Sequence, residues 1–209
     1  MISIIDYGMG NLASVGKALE FLGARARVTS DPKVVARSKA VIFPGVGAFG
    51  EAMVQLKARR LKEPIIDSIQ EGKPFLGLCL GLQLLFESSE ESPGVRGLGI
   101  LPGRVRKLPR PKGLKIPHMG WNQIESDSRV RGNDILRGVP EGVFMYFVHS
   151  FYAEPKEKKV IVSTTRYGRS FPSIVWNGER LWATQFHPEK SQKWGLKILK
   201  NFLEVVSSC

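Results

Sequence analysis

Three apolar runs set the rhythm of the first half of the chain: ISIID at 2–6, AVIFPG at 40–45 and PFLGLC at 74–79. Between them lie segments with helical spacing. NLASVGKALEFLG (11–23) predicts a helix closed by Gly23 and ARARVT (24–29) a second strand, and the short DPKVVARS segment leads on to AVIFPG. A helical stretch that Pro64 divides or restarts follows AVIFPG, and LGLQLLFESS (80–89) predicts a helix directly after PFLGLC. Strands alternating with helices in this way are the signature of a parallel sheet with helices packed on its faces.

From Gly97 the pattern changes to short β-type runs separated by turn residues: LGILPGRVRKLP, VFMYFVHSFYAEP, KVIVSTTRYG and PSIVWNGERLWATQFHP. Asn177-Gly178 between two such runs predicts a hairpin, because that pair accepts the positive φ angles that tight hairpin turns demand. SQKWGLKILKNFLEVV predicts a closing amphipathic helix. No internal repeat or low-complexity linker interrupts the 209 residues, so the expectation is one α/β domain over 1–209, its central, mostly parallel sheet extended by antiparallel strands in the C-terminal half.

Only two cysteines are present, Cys79 and Cys209, which excludes a disulfide framework and a cysteine-built metal site. MISIIDYG has no basic leader and reaches Asp6 too early for a signal segment, and no apolar stretch is long enough to span a bilayer. A soluble, cytoplasmic protein with no membrane partner is expected. The formal net charge of +12 raises the question of nucleic acid. Its basic runs, KARRLK (57–62), RVRKLPRPKGLK (104–115) and KEKK (156–159), carry prolines but no interleaved aromatics and no nucleic-acid-binding motif, so they read as solvated loops and helix faces.

The chemistry is sought at Cys79. With PFLGL as a strand and the following segment as a helix, GLCLG becomes a strand-to-helix turn shaped like the G-x-S-x-G nucleophile elbow. A thiol at a helix N-terminus also meets backbone N–H groups that favour thiolate. On the pentapeptide alone a small buried hydrophobe is an equal alternative.

A thiolate doing acyl transfer needs a base and a group that orients the base. Three histidines are available. His118 lies in a proline-containing connection with no acidic neighbour, and His149 follows a strongly apolar strand and reads as a structural or backbone-positioning residue. His187 opens His-Pro-Glu after the strand LWATQF; in an extended backbone Glu189 would point to the same side and steer the imidazole. Cys79, His187 and Glu189 therefore qualify as nucleophile, base and orienter. A helix-initiating Pro-Glu after a chance histidine is the plain alternative for His-Pro-Glu taken alone. Oxyanion donors are expected from FPGVGAFG (43–50), where Gly45 and Gly47 allow close approach, namely the N–H of Val46 or Gly47 together with that of Leu80. The segment lacks the Lys and Ser/Thr of a P-loop.

GLCLGLQLLFE, FPGVGAFG and QFHPEKS, in this order and spacing, resemble the class I, triad-type glutamine amidotransferases, and the likeness covers essentially the whole chain. Within that group IIDYGMGNLASV, PHMGWN (117–122), YFVHSFY (146–152) and QFHPEKSQ (185–192) are similar to the glutaminase subunits of imidazole glycerol phosphate synthases. DYGMGNL and PHMGWN argue against an amidotransferase of another pathway and against a γ-glutamyl hydrolase, while a non-catalytic basic binding module that keeps the fold is an alternative that glutamate release from glutamine separates. The resemblance implies the class I amidotransferase-like fold, glutamine hydrolysis through a Cys79 thioester, and no cofactor or metal. It implies that Gln83 and the backbone near Ser150 and Phe151 hold the glutamine's α-groups. It further implies a heterodimer with a cyclase subunit, a (β/α)8 barrel that uses the ammonia to make imidazole glycerol phosphate and an aminoimidazole carboxamide nucleotide in histidine biosynthesis. Asn11, Trp121, Tyr146 and Lys190 match positions at that partner interface, and the basic surface is then a candidate docking face. Glutaminase activity of the isolated chain is expected to be low, because the PGVG strand of such proteins leaves the oxyanion site incomplete until the cyclase binds its nucleotide. The approach RPKGLKIPHMGWN departs from the pattern as a basic loop of variable length.

Overall fold

The computed structural model describes residues 1–110, 113–127 and 134–208; Cys209 and the tip of the basic approach at 111–112 lie outside the described residues. The first half runs β1 (Ile2–Ile5), α1 (Leu12–Phe21), β2 (Ala26–Thr29), α2 (Pro32–Ala36), β3 (Ala40–Gly45), α3 (Phe49–Ala58), α4 (Lys62–Gln70), β4 (Phe75–Cys79) and α5 (Leu80–Leu84). The second half runs β5 (Phe86–Ser89), β6 (Leu101–Lys107), β7 (His118–Gln123), β8 (Glu125–Ser126), β9 (Phe144–His149), β10 (Phe151–Pro155), β11 (Ile161–Tyr167), β12 (Arg169–Trp176), β13 (Leu181–Thr184) and α6 (Gln192–Ser207).

Eight strands form the main sheet in the order β2-β1-β3-β4-β13-β12-β11-β8. From β2 through β13 neighbours are parallel, and from β13 to β8 they are antiparallel. Every residue of β3 and β4 is buried, as a parallel sheet covered on both faces requires. One face packs on α3, α4 and α5 through Phe49, Leu56, Ile65 and Leu84. The other packs on α1 and α6 through Val15, Leu19, Ile198 and Phe202. Two small sheets complete the molecule, β10-β6-β5 and the antiparallel pair β7-β9.

Local signals work as physical chemistry predicts. Asn11 caps α1 by accepting the Ser14 N–H, and Asp31 caps α2 ahead of Pro32. The long helical stretch breaks at Arg60, which takes a positive φ of 55°, and Pro64 then sits in the first turn of α4. There its missing N–H has no intrahelical partner to lose. The hairpin at Asn177-Gly178 is present, with Trp176 opposite Trp182 and the Asn177 side chain accepting from Glu179 and Leu181 N–H.

One element departs from expectation. LGLQLLFESS does not continue as one helix: α5 ends at Leu84, and Phe86–Ser89 turns into a strand paired with β6. Its ten letters carry enough apolar residues for either state. The Leu84, Leu85 and Phe86 carbonyls accept from Leu98, Ile100 and Gly99 N–H, so partners distant in the chain decide the matter.

Candidate active site

Parallel pairing aligns the carboxyl ends of β3, β4 and β13, with Gly45 opposite Cys79 and Thr184 opposite Leu78. Open α/β sheets bind ligands at this edge. Cys79 occupies the turn from β4 into α5 with φ 54° and ψ −105°, a conformation that costs a non-glycine residue on the order of 1–3 kcal/mol. The strain is therefore carried by the cysteine itself. The flanking glycines have negative φ and serve packing instead: a Cβ on Gly81 would lie 1.9 Å from the Phe43 carbonyl oxygen, and one on Gly77 would lie 3.0 Å from the Ala183 Cβ. Both keep α5 pressed against β3 and β13.

His187 follows β13 on the neighbouring strand. Its Nδ1 lies 2.8 Å from Glu189 Oε1, and both side chains are almost wholly buried. The orienting contact is made by a 3-10 turn over Pro188–Lys190, where extended backbone had been expected. His187 N–H donates to the Tyr146 carbonyl, Ser191 Oγ donates to the His187 carbonyl, and the same Oγ accepts the Tyr146 N–H. Gly195 lets α6 approach this turn, since a Cβ there would stand 2.0 Å from the Pro188 carbonyl oxygen.

With Nδ1–H given to Glu189, His187 Nε2 is left for the sulfur. Burial opposes charge on the ring, but the negative Cys79 sulfur, followed by Glu189, outweighs it and pushes His187 up to about 10. Nε2 is buried with no hydrogen-bond partner, while the Cys79 sulfur is near enough to raise the ring. Tyr7 lies beneath the same turn, its hydroxyl fully buried without a partner. Burial, and secondarily the charge at Cys79, hold its phenol well above the ordinary range.

A cavity of about 320 Å³ opens over the sulfur, and Val46, Gly47, Cys79, Leu80, Gln83, Ser150 and Phe151 all line it. Residues scattered over the sequence expectation thus share one wall. Gly47 has a positive φ of 99°, a conformation that glycine adopts at little cost. Gln83 Nε2 donates to the Phe151 carbonyl at 2.9 Å and lies 3.2 Å from Gln185 Oε1, while Gln185 Nε2 lies 3.8 Å from the Cys79 sulfur. Sequence reasoning passed over Gln185, Val148 and Glu91. Glu91 lines the cavity and accepts the N–H of Phe49 at 2.7 Å, tying the start of α3 to the segment that follows β5. No local motif marks it. Among the described residues no group of three metal-ligating side chains gathers.

Trp121 and Tyr146 face each other across β7-β9 with ring centroids 6.0 Å apart, and Lys190 Nζ stands 5.8 Å from the Tyr146 ring. Asn11 spends its Oδ1 on the α1 cap, and α1 packs beside the 188–190 turn. Trp121 is 45% exposed, next to exposed Met119 and Phe144.

The family described as glutamine amidotransferase class-I matches residues 3–206. The chain belongs to the class I glutamine amidotransferases. Relatives of this amidotransferase include the imidazole glycerol phosphate synthase subunit HisH of Syntrophotalea carbinolica, 52% identical over 97% of this chain and 98% of that one. The protein of the same name from Methanothermobacter thermautotrophicus is 49% identical over 99% of each. Among solved structures, a glutamine amidotransferase superposes with a TM-score of 0.75 at 20% identity over 99% of this chain and 98% of that one. Another from Thermotoga maritima gives 0.70 at 16% identity over 100% and 98%. These distant likenesses establish the amidotransferase fold, in agreement with the mostly parallel sheet and its antiparallel additions.

Proposed function

We propose that this amidotransferase is the glutaminase subunit of an imidazole glycerol phosphate synthase, hydrolysing glutamine to glutamate and passing the ammonia to a cyclase subunit in histidine biosynthesis. The observation that carries the reaction is the line Glu189–His187–Cys79, in which a 2.8 Å contact orients an imidazole that burial disfavours as a cation and that the sulfur and Glu189 together raise. Near-full-length relatives sharing about half their residues support the pathway.

The Cys79 thiolate attacks the side-chain amide carbon of glutamine. The resulting oxyanion is received by the N–H of Leu80 together with that of Val46 or Gly47. His187, protonated on Nε2, gives its proton to the departing nitrogen, and ammonia leaves a glutamyl thioester on Cys79. The imidazole, now neutral, takes a proton from water, whose oxygen attacks the thioester; glutamate departs and the imidazolium–thiolate pair is restored. Glu189 holds one ring orientation throughout. Gln83, with the backbone at Ser150 and Phe151, receives the glutamine's α-groups, and Glu91, the one carboxylate on the described cavity wall, attracts the α-ammonium.

The partner is a (β/α)8 barrel in a heterodimer, docked over Asn11, Trp121, Tyr146 and Lys190, in the cytoplasm. Among the described residues no helix is long and apolar enough to cross a membrane. The decisive measurement is glutamate release by the chain alone, with the cyclase barrel, and with the barrel plus its nucleotide substrate. Strong stimulation by the last combination is expected, and absence of any stimulation overturns the proposal.

A further inference from the structure

Two buried histidines outside the triad form a directional chain. Asn122 Nδ2 donates to the Arg166 carbonyl at 3.0 Å and lies 3.2 Å from His118 Nε2. His118 Nδ1 lies 3.0 Å from His149 Nε2, and His149 Nδ1 lies 2.8 Å from the Phe151 carbonyl oxygen. Each end dictates the proton positions independently. A carbonyl only accepts, so the nitrogen facing Phe151 carries its proton and His149 Nε2 must accept. At the other end the Asn122 amino group donates, so His118 Nε2 must accept and Nδ1 carries the proton. The two deductions meet in one bond, His118 Nδ1–H to His149 Nε2. Both rings are neutral, both are Nδ1–H tautomers, and no donor or acceptor in the line is frustrated.

The line ends at the proposed glutamine subsite. The Phe151 carbonyl accepts from His149 and from Gln83 together, filling both lone pairs, and His149 itself lines the cavity. Its start lies on β7 beside Trp121, the exposed aromatic of the proposed docking face. Stacking of His118 between Phe147 at 4.8 Å and Tyr167 at 4.0 Å, ring centroid to centroid, keeps the first imidazole from swinging out of line.

We propose that His118 and His149 are positioning residues for glutamine binding: their relay holds the Phe151 carbonyl, and through it Gln83, in the geometry that receives the α-groups of the substrate. This rests on the amidotransferase reading of the cavity. The rings touch no reacting atom, so their loss acts on substrate binding. His118→Phe keeps the aromatic stack and removes the relay. In the complete complex with the cyclase barrel and its nucleotide, the KM for glutamine is expected to rise about tenfold, as for one lost oriented hydrogen bond, with kcat within about twofold. An unchanged KM in the folded variant overturns the proposal.

Nitrogen-15 spectra of the imidazoles in the wild-type chain give a second reading that needs no variant to fold. Nδ1–H signals are expected for both rings near neutral pH, and an Nε2–H or protonated form at either overturns the proposal. Asn122→Ala, which frees the His118 tautomer, should admit Nε2–H there and raise KM about threefold; unchanged tautomer and KM count against the relay. If the wild-type complex releases no glutamate, the cavity reading fails, whereas the tautomer spectrum still tests the relay by itself.

Discussion

Cys79 and His187 leave adjacent parallel strands at the same edge of the sheet, and they are held by opposite means. The elbow at Cys79 is strained, with a positive φ on the candidate nucleophile and glycines that exist so that α5 can touch β3 and β13. The His187 turn has ordinary backbone, with φ −99°, and is braced by hydrogen bonds from Ser191 and to Tyr146. A nucleophile has to be presented to the substrate cavity, which packing against a neighbouring strand can enforce. A base has to keep one ring orientation, and that calls for directional bonds. Two neighbouring turns in one active site thus draw on different parts of the chain.

Substitutions test this contrast. Cys79→Ala is expected to lower glutaminase activity by about 10⁴-fold or more while synthesis fed by external ammonia survives in the complex. Cys79→Gly is equally inactive yet about 1 kcal/mol more stable than Cys79→Ala in urea denaturation, because glycine relieves the positive φ. Equal stabilities would show that the elbow is not strained. On the other strand, Glu189→Gln retains a polar partner for the ring but loses the charge, and a fall of about 10²- to 10⁴-fold in kcat is expected with KM little changed.

Ser191→Ala removes both bonds that its hydroxyl makes in the His187 turn. About a tenfold loss of kcat/KM and about 1–2 kcal/mol of stability are expected. A variant with full activity would mean that the turn is shaped by Pro188 and Gly195 alone.

Protonation separates the two turns most finely. His187 is raised from 6.5 to about 10, so its contribution to stability is complete below pH 6.5 and is lost as pH climbs through about 10. The His118–His149 pair has the opposite sign. Both bases are lowered from 6.5, to about 4 and about 3, chiefly by burial. Their contribution is complete above about pH 6.5 and drains away as pH falls through those values, since the unfolded chain then binds protons that the folded rings refuse. Urea midpoints followed over pH should fall on both flanks. Cys79→Ala should flatten only the alkaline one, because the sulfur's charge is the largest influence raising His187.

Much of this was legible in the linear sequence because short-range chemistry writes itself into adjacent letters. The covered strands, the Asn177-Gly178 hairpin and the elbow at GLCLG all depend on residues within a few positions of one another. The candidate triad was readable for the same reason, since each half, GLCLG and His-Pro-Glu, is a local pattern. Phe86–Ser89 was misjudged as helix because a run of leucines ending in phenylalanine suits either state, and only pairing with β6 distinguishes them. Glu91 and Gln185 escaped notice because an acid or an amide gains a role only when another segment is folded against it.

The sequence by itself determined the alternation of strands and helices, and it marked the candidate nucleophile and the candidate base with its orienter, because periodicity, turn stereochemistry and the rarity of cysteine and histidine are properties of the letters. Tertiary structure alone decided that Gly77 and Gly81 serve packing while Cys79 bears the strain, and that Gly45 lies opposite the sulfur. It also decided that two further histidines line up toward Phe151. Those arrangements join residues far apart in the chain, His118 with His149 across 31 positions among them, and the register of strands and the direction of a hydrogen bond exist only once the chain has brought its distant parts together.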